Sequence, residues 1–324
     1  MPKLIDPFLL VLVSTVVLAS LLPVHGTAAV AVDGAATAAI MLLFFLHGAR
    51  LARENLISAL THWRLHITIL ATTFVLFPLL GLVLSSGLHG LLPPQLWTGV
   101  LFLCALSSTV QSSIAFTSIA RGNVAGTVAS AATSNLLGIA LTPVIIGLLS
   151  HSSGATMSFS GIWKIVLEIL VPFALGHGLR PWLGGWVARH RRLLSYTDRS
   201  TIILAVYSAF SAAVVEGIWH QVPPRSLALL LLVNAFLLAT VLLLTRTIAR
   251  WLGFSTEDEI SIVFCGSKKS LASGVPMARV LFPAAAVGPA VLPLMVFHQM
   301  QLMVCAWLAR RYASRQGGPG KEEH

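Results

Sequence analysis

Long apolar runs recur along the whole 324-residue chain, with short polar segments between them. Because a transmembrane helix needs roughly 20 mostly apolar residues, the pattern predicts an all-α integral membrane protein with ten transmembrane helices. The second of these spans is short, and polar residues interrupt the fourth and the ninth. The predicted spans are residues 8–24, 34–49, 65–85, 96–119, 123–149, 162–183, 200–221, 226–248, 257–282 and 285–309.

The composition supports a membrane location. Hydrophobic residues make up 56% of the chain and charged residues 10%, whereas soluble domains carry about 25% charged residues. The net charge of +10 does not indicate a nucleic-acid partner, because the arginines are scattered between apolar runs and form no single basic face. Cys104, Cys265 and Cys305 lack the paired spacing of a zinc site or a disulfide framework.

The basic residues predict an orientation, because lysine and arginine favour cytoplasmic loops. With the N-terminus inside, 16 of the 21 basic residues fall in inner segments, two in outer segments and three within the ninth span. Both termini are therefore predicted to be cytoplasmic. Lys3 is the only basic residue before the first apolar run, whereas a signal peptide begins with a more basic segment. The run therefore indicates a retained helix and not a cleaved signal. A bacterial inner membrane is the predicted location.

The spans form two sets of five, joined by a polar connection. An odd number of spans in each set would give two similar halves opposite orientations, as in the inverted repeats of many secondary transporters. The predicted organisation is a first five-helix repeat (1–149), a connecting loop (150–161), a second inverted repeat (162–309) and a cytoplasmic tail (310–324).

The fourth and ninth spans are interrupted at corresponding places. The fourth contains a polar stretch at residues 107–113, and the ninth contains Gly-Ser-Lys-Lys-Ser at Gly266 to Ser270. Irregular backbone at membrane depth is tolerated only where protein or a water-filled cavity satisfies its polar groups. Matching interruptions in two repeats therefore indicate a binding site near the middle of the membrane. Helix–helix hydrogen bonding is the alternative role for the serines of the fourth span.

Two adjacent lysines are the least expected residues of the ninth span. Lys268 and Lys269 lie near its centre, where each charge costs roughly 2.5–3.5 kcal/mol on insertion scales. Glu168 and Glu216 are candidates to neutralise one of them, and the alternative, favoured for Glu216, is a position at the membrane interface. The polar turn from His298 to Gln301 in the tenth span is expected to form a wall of the same site.

The intramembrane polar residues supply the candidate site, in which Asn135 stands out because a buried amide needs specific partners. Histidines 47, 62, 66, 151, 190 and 220 fall near span ends and are predicted at the surface. No nucleophile motif or metal-ligand spacing occurs, so neither an enzyme nor a resident cofactor or metal is predicted. The candidate substrate- and ion-binding residues are Thr73, Gln111, Ser112, Ser113, Thr127, Ser134, Asn135, Gly266, Ser267, Lys268, Lys269, Ser270, His298 and Gln299.

Several of these segments resemble a known family. They include Ala-Arg-Gly-Asn at 120–123, Asn-Leu-Leu-Gly at 135–138 and Cys-Gly-Ser-Lys-Lys-Ser-Leu-Ala at 265–272, with Asn55 to His66 as a further match. The pattern is similar to the bile acid:sodium symporter superfamily, in its SBF-like and solute-carrier-10-member-7-like branch. The resemblance implies a core domain (spans three to five and eight to ten), a panel domain, crossed discontinuous helices four and nine, and transport by alternating access.

The chain departs from that family at its sodium site. The resemblance implies a glutamine in span three, where Thr73 stands, and a glutamate in span nine, where Phe264 stands. Lys268 and Lys269 occupy the place of a glutamine–asparagine pair, whereas Ser112, Ser113 and Thr127 still fit a polar shell. A site that loses a carboxylate and gains ammonium groups should repel sodium.

Two transport hypotheses follow for a small, anionic organic solute. In the first, a lysine replaces the bound cation and transport is coupled to protons, since burial favours a neutral lysine. In the second, the lysines stay charged and bind the anion, with uncoupled transport. Sodium or a proton therefore remains the candidate coupling ion. A non-transporting membrane scaffold is the alternative function, although a scaffold has no need for buried charge.

Overall fold

The computed structural model describes residues 7–50, 62–151, 163, 166–217 and 222–315, and the regular structure in these ranges is helical. Helix α3 contains a π-helical turn at Thr72–Leu76, and a second π-helical turn, Val166–Leu170, precedes α7. The helices are α1 (Pro7–Leu21), α2 (Gly26–Arg50), α3 (Trp63–Gly87), α4 (Pro94–Ala105), α5 (Gln111–Ile119), α6 (Val124–His151), α7 (Val171–Gly178), α8 (Arg180–Arg189), α9 (Arg191–Val215), α10 (Pro224–Trp251), α11 (Thr256–Gly266), α12 (Leu271–Leu281) and α13 (Ala284–Arg315).

Six of these helices, α2, α3, α6, α9, α10 and α13, are long and apolar enough to cross a membrane. Shorter apolar helices cover Leu10–Leu21, Pro94–Ala105 and Val166–Gly178. Large apolar side chains such as Leu232, Phe236 and Leu243 lie exposed on α10. The protein is therefore a multi-pass membrane protein whose outer apolar surface suits a lipid environment.

Helix α2 differs from the prediction of a short span at 34–49. It has 25 residues and begins at Gly26, because its first half is rich in alanine, which is a strong helix former. Asp33 lies inside this helix and forms an ion pair with Arg279 of α12. Asp33, which directly precedes the predicted span, is thus accommodated inside the helix by a partner distant in sequence.

Two other boundaries also differ. Helix α13 continues to Arg315, so the first residues of the predicted tail (310–324) are helical, and Tyr312 packs in a buried cluster with Phe264. Helix α6 reaches His151, which lies within the predicted connecting loop at 150–161. The rest of that loop, the end of the tail and most of the Asn55 to His66 motif lie outside the described residues.

The helices pack in two groups. The first group contains α1, α2, α7, α8 and α9, and the second contains α3 to α6 and α10 to α13. Helix α9 makes the main contacts between the groups, against α12 and α13. Contacts within each group are more extensive, and both interrupted helices belong to the second group.

Helices α2 and α7 approach each other closely because each carries a glycine at the contact. A Cβ atom on Gly48 would lie 2.1 Å from the carbonyl oxygen of Phe173, and one on Gly176 would lie 1.9 Å from that of Phe45. Small residues that let backbones touch are typical of helix packing in membranes. This pair of glycines joins the two helices into one tight unit.

The cytoplasm-facing end predicted for α11 contains a compact ionic network. Ser255 caps the helix by accepting a hydrogen bond from the backbone N–H of Asp258. Glu259 accepts hydrogen bonds from Arg250 of α10 and Tyr312 of α13, both at 2.8 Å. The network ties three helices of the second group together.

Candidate functional site

The two interrupted helices meet at their breaks, residues 106–110 and 267–270, which together are called the crossover. Helix α4 ends at Ala105 before α5 begins, and α11 ends at Gly266 before α12 begins. The breaks and the helix ends beside them are bonded directly to each other. The bonds run from the Ser270 N–H to the Ser107 carbonyl (2.9 Å), from Ser108 Oγ to the Cys265 carbonyl (2.5 Å) and from Ser113 Oγ to the Phe264 carbonyl (3.0 Å).

Helix α6 supplies side chains that satisfy the backbone of the first break. Asn135 Nδ2 donates to the Ser108 carbonyl at 2.9 Å, and Ser134 Oγ accepts from the Ser108 N–H at 3.1 Å. Thr142 donates to the Ala105 carbonyl at 2.9 Å. Irregular backbone needs such partners at membrane depth. Through these contacts, Ser134 and Asn135 have a structural role at the crossover.

Lys269 is fully buried and points its ammonium group into a cage of carbonyl oxygens. Its Nζ donates to the carbonyls of Thr73 (2.8 Å), Cys104 (2.8 Å) and Leu106 (2.7 Å). The same nitrogen lies 4.1 Å from the centre of the Phe77 ring. Two of these oxygens lie at the C-terminal end of α4, where the helix dipole favours a cation.

The sequence explains why the Thr73 carbonyl is available. In a regular α-helix this oxygen would accept from the N–H of Phe77, but in the π-helical turn that N–H bonds to the Thr72 carbonyl. The next candidate donor is Pro78, which has no N–H. The Cys104 carbonyl is likewise among the last four of α4, which have no partner within the helix. Lys269 satisfies these groups.

Gln301 of α13 holds the backbone of Lys269 on both sides. Its Oε1 accepts from the Lys269 N–H, and its Nε2 donates to the Lys269 carbonyl, both at 2.9 Å. His298 Nδ1 lies 2.9 Å from Gln301 Nε2. The sequence places His298 and Gln301 in one polar turn, but Gln301 is absent from the predicted site residues. Its spacing of three residues from His298 is the signal that identifies it.

Lys268 is equally buried but has very different surroundings. Among the described residues its Nζ has no hydrogen-bond partner. The nitrogen lies 3.9 Å from the centre of the Phe116 ring and 5.5 Å from that of Phe264. Neither lysine is paired with Glu168 or Glu216. Within the described residues, the expectation that Glu168 or Glu216 neutralises one of them is wrong, because carbonyl dipoles and aromatic faces surround the two ammonium groups.

Several other predicted residues pack around the crossover. Thr127 donates to Thr117 at 3.2 Å, and Ser112 Oγ lies 2.7 Å from Thr109 Oγ1. Ser267 Oγ donates to the Val263 carbonyl. A Cβ on Gly266 would lie 2.4 Å from Thr72 Oγ1, so this position requires glycine for close packing. Gln299 Oε1 is buried and has no hydrogen-bond partner within the described part of the chain.

A cavity of about 470 Å³ lies between the two helix groups and reaches the crossover. It is lined at the crossover by the N-terminal ends of α5 and α12, and elsewhere by apolar side chains of α2, α6 and α7. Five predicted site residues line it, namely Gln111, Ser112, Asn135, Ser270 and His298. The other nine, including both lysines, do not appear in its lining. The predicted site thus consists of a cavity wall and a buried crossover behind it.

Charged residues of the first helix group line the same cavity. Arg50 Nη1 donates to Asp198 Oδ2 at 2.7 Å, which links α2 and α9, and Arg199 and His47 lie beside them. Of the histidines predicted at the surface, His47 is therefore a cavity residue. His66 is buried, with Nδ1 2.6 Å from Ser130 Oγ, because α3 packs on α6 from its first turn.

The opposite end of α2 contacts the second helix group, in contrast to the Arg50 end, where the ion pair stays within the first group. Asp33 forms an ion pair with Arg279 of α12, whose side chain is 9% exposed. Ser208 Oγ of α9 donates to Asp33 Oδ1 at 3.4 Å. Asp33 and Arg50 are 17 residues apart on one helix, which corresponds to about 25 Å. The ion pair and the cavity therefore lie at opposite ends of α2.

Comparison with known proteins identifies the family of the chain. The sequence model of the SBF-like CPA transporter family matches residues 6–314, nearly the whole chain. The chain belongs to this family. It is 56% identical over 312 residues to "Uncharacterized protein PA2026" of Pseudomonas aeruginosa, covering 96% of this chain and 94% of that protein. It is 52% identical over 310 residues to "Putative symporter YfeH" of Escherichia coli, covering 96% and 93%.

More distant members of the comparison are animal proteins. The chain is 27% identical over 274 residues to "Sodium/bile acid cotransporter 7" of Rattus norvegicus, covering 82% of this chain and 79% of that protein. Membership of the SBF-like family confirms the resemblance that the sequence motifs indicate. Relatives named as symporters and cotransporters indicate a membrane transporter with a small-molecule substrate.

Proposed function

We propose that the protein is a secondary active transporter that moves a small anionic organic solute across the membrane by alternating access. The observation that carries the proposal is the cavity between the two helix groups, which ends at the crossover of the two interrupted helices. A solute there would contact both groups and the helix ends at once. Rearrangement of one group against the other would then change the side from which the solute is reached.

The lining of the cavity favours an anionic solute with an apolar part. The N-terminal ends of α5 and α12, which carry partial positive charge, lie at the cavity. The lining contains two arginines, Arg50 and Arg199, and one carboxylate, Asp198, so its arginine and carboxylate charges sum to a positive value. Phe44, Phe173 and other apolar residues form much of the remaining wall. A carboxylate or sulfate group on a compact hydrocarbon frame would match this arrangement.

The proposed architecture is ten spans in two inverted five-helix repeats. In this proposal the second helix group is the core domain and the first is the panel domain. Both termini are cytoplasmic, the membrane is a bacterial inner membrane, and the Arg50 end of α2 faces the cytoplasm. The packing of α3–α6 and α10–α13 as one group supports the division into core and panel, and the distribution of basic residues supports the orientation.

For coupling, the proposal favours protons over sodium. The crossover carries Lys268 and Lys269, and in the described part of the chain no carboxylate is a partner of these two side chains. A fixed ammonium group repels a second cation nearby. Transport driven by a pH gradient is therefore expected, and uncoupled transport of the anion is the alternative.

The test uses purified full-length protein in two stages. Thermal stability is measured against a panel of organic acids, sulfated compounds and steroids, at several pH values and with or without sodium, because a bound solute raises apparent stability. A stabilising compound is then used in proteoliposomes under a pH gradient, a sodium gradient or neither. Arg50→Gln, which removes a cavity charge, serves as the site variant.

We expect accumulation under the pH gradient and weaker stabilisation of Arg50→Gln by the same compound. Accumulation under neither gradient, with exchange of solute retained, would indicate the uncoupled alternative. Accumulation driven by sodium alone would contradict the proposed coupling. Absence of flux for every stabilising compound would favour the scaffold alternative over transport.

A further inference from the structure

The adjacent lysines have the same side chain and the same complete burial, yet their surroundings differ. We propose that Lys269 is a permanently charged internal cation that holds the crossover together, and that Lys268 is the residue that binds and releases a proton during transport. The assignment to Lys268 rests on the proposed transport function. The assignment to Lys269 stands on the geometry of the crossover and has its own test.

The cage around Lys269 requires the protonated form. An ammonium group has three N–H donors, and the three carbonyl oxygens of Thr73, Cys104 and Leu106 lie 2.7–2.8 Å from Nζ. A neutral amine has only two N–H groups, so its lone pair would face the third oxygen. Removing the proton would therefore exchange one attractive contact for one repulsive contact at a fully buried nitrogen.

The oxygens of this cage come from three different pieces of backbone. Thr73 belongs to α3, Cys104 to α4, and Leu106 to the first break, while Lys269 itself belongs to the second break. Rings of backbone carbonyls are ligands of monovalent cations in other membrane proteins. The ammonium group of Lys269 thus joins three backbone segments, as a bound cation does in those proteins, but it is part of the protein chain itself.

The backbone of Lys269 is also held in place by hydrogen bonds. Gln301 bonds to both its backbone N–H and its carbonyl at 2.9 Å. The Ser270 N–H next to it bonds to the Ser107 carbonyl at 2.9 Å. Lys269 cannot leave the cage without disturbing the contact between the two breaks. A group that must release its ligand in each transport cycle would not be held in this way.

Lys268 has surroundings that tolerate both protonation states. Its nitrogen has no hydrogen-bond acceptor among the described residues, so loss of the proton breaks no hydrogen bond. The faces of Phe116 and Phe264 attract the ammonium form, and burial disfavours it. Lys268 can therefore lose its proton without breaking a hydrogen bond, whereas Lys269 would lose one of three.

Among the described residues, the ionisable groups that interact with Lys268 are two thiols, and none is a carboxylate. Cys265 of α11 and Cys305 of α13 are both buried free cysteines. Phe116 is the contact from α5, and it cannot titrate. The step is a simple proton transfer: water on one side supplies a proton to the lone pair of Nζ, and the same N–H bond breaks to return the proton to water on the other side.

The first experiment compares two matched variants, Lys268→Met and Lys269→Met, by thermal unfolding of the purified protein. Methionine is a flexible, uncharged side chain that suits an environment of rings and thiols. We therefore expect Lys268→Met to unfold close to the wild-type temperature. Lys269→Met should unfold at least about 10 °C lower, because three buried carbonyls lose their donor. Equal shifts, or the reverse order, would overturn the assignment of Lys269.

A chemical rescue distinguishes a missing cation from a packing defect. Lys269→Ala removes a propylammonium group, so n-propylammonium chloride should raise its unfolding temperature, whereas n-propanol at the same concentration should not. Lys268→Ala is the matched control and should gain nothing from n-propylammonium, since its pocket offers no carbonyl cage. Rescue of both variants, or of neither, would overturn the internal-cation role. These measurements require no transport activity.

The role of Lys268 is tested with a solute that the wild-type protein accumulates under a pH gradient. Lys268→Met should lose at least about 90% of this accumulation and retain solute exchange without a gradient. Accumulation by Lys268→Met at the wild-type level would overturn its proton-carrying role. If the wild-type protein shows no flux at all, the proposed function and the role of Lys268 both fail, and the unfolding tests still decide the role of Lys269.

Discussion

Helix α2 contacts α7 and α12 in opposite ways. Against α7, glycines at positions 48 and 176 bring backbone to within van der Waals contact. Against α12, the link is one ion pair between the Asp33 and Arg279 side chains. The first contact cannot loosen without opening a gap along two backbones, whereas the second can break by rotation of two side chains. We therefore expect α2 and α7 to move together and α2 and α12 to separate.

The two ends of α2 show the same contrast. At the Arg50 end, the ion pair to Asp198 stays within the first helix group, and a cavity opens between the groups. At the Asp33 end, the ion pair crosses from one group to the other. An ion pair within a group leaves the boundary free to open, and one across the boundary holds it closed. Four changes test this comparison.

The largest effect is expected from Gly176→Ala. The added Cβ would lie 1.9 Å from the carbonyl oxygen of Phe45, so the two backbones must separate. Overpacking of this kind costs roughly 1–3 kcal/mol, and a lower unfolding temperature should report it. Gly178→Ala is the matched control on the same helix, because its Cβ meets no atom within 4 Å. Equal stability of the two variants would contradict the tight contact.

The next largest effect is expected from Arg279→Glu, which places two carboxylates at the α2–α12 contact. Repulsion should open the Asp33 end and expose Ser211, which is 1% exposed and lies one turn from Ser208 on α9. With Ser211→Cys as the reporter, labelling by a membrane-impermeant maleimide should accelerate about tenfold, equivalent to roughly 1.4 kcal/mol. The charge swap Asp33→Arg with Arg279→Glu should restore slow labelling. Unchanged labelling in Arg279→Glu would contradict the closing role.

A smaller change is expected from Asp33→Asn in the same reporter background. It removes the pair without adding repulsion, and Asp33 is half-exposed, so solvent reduces the effect to about 1 kcal/mol or less. Labelling of Ser211→Cys should rise up to about fivefold. Asp198→Asn, which breaks the pair within the first group, is the control and should leave labelling unchanged. A larger effect from Asp198→Asn would reverse the comparison.

The smallest effect is expected from Ser208→Ala. Its hydroxyl donates to Asp33 at 3.4 Å, a long and therefore weak hydrogen bond. The labelling rate should change by less than about twofold. If Ser208→Ala opened the Asp33 end as much as Asp33→Asn, α9 and not α12 would be the main partner of α2 at this end.

Much of the helical fold is readable from the sequence, because lipid exposure demands long apolar helices. The breaks near Ser107 and Lys268 are readable too, since polar residues interrupt apolar runs there. The start of α2 is not readable from the sequence, because Asp33 is stabilised inside the helix by Arg279, nearly 250 residues away. Burial of His66 depends in the same way on a partner from another helix, Ser130.

The candidate site was predictable as a region but not in its internal arrangement. Lys268 and Lys269 are identical neighbours in the sequence, and only the path of the break directs one to carbonyls and the other to rings. Gln301 is expected from the sequence only as part of a polar wall, because its hydrogen bonds to the two backbone groups of Lys269 depend on the path of the second break. Arg50 and Asp198 were missed because each lies at the end of an unremarkable apolar span. Their place in the cavity depends on how the two helix groups pack.

The π-helical turn of α3 has a consequence for how this helix can change over time. A π-helical turn holds one residue more than the α-helical path it replaces, so it corresponds to a single-residue insertion. Removing one residue, such as the lipid-exposed Val75, would let an α-helical turn replace the wide turn, while the two halves of α3 keep their orientation. The narrower turn would shift the Thr73 carbonyl, which is one of the three oxygens around Lys269. In a lineage that acquired or lost that residue, the cation cage would change in one step, with no change to the lysine.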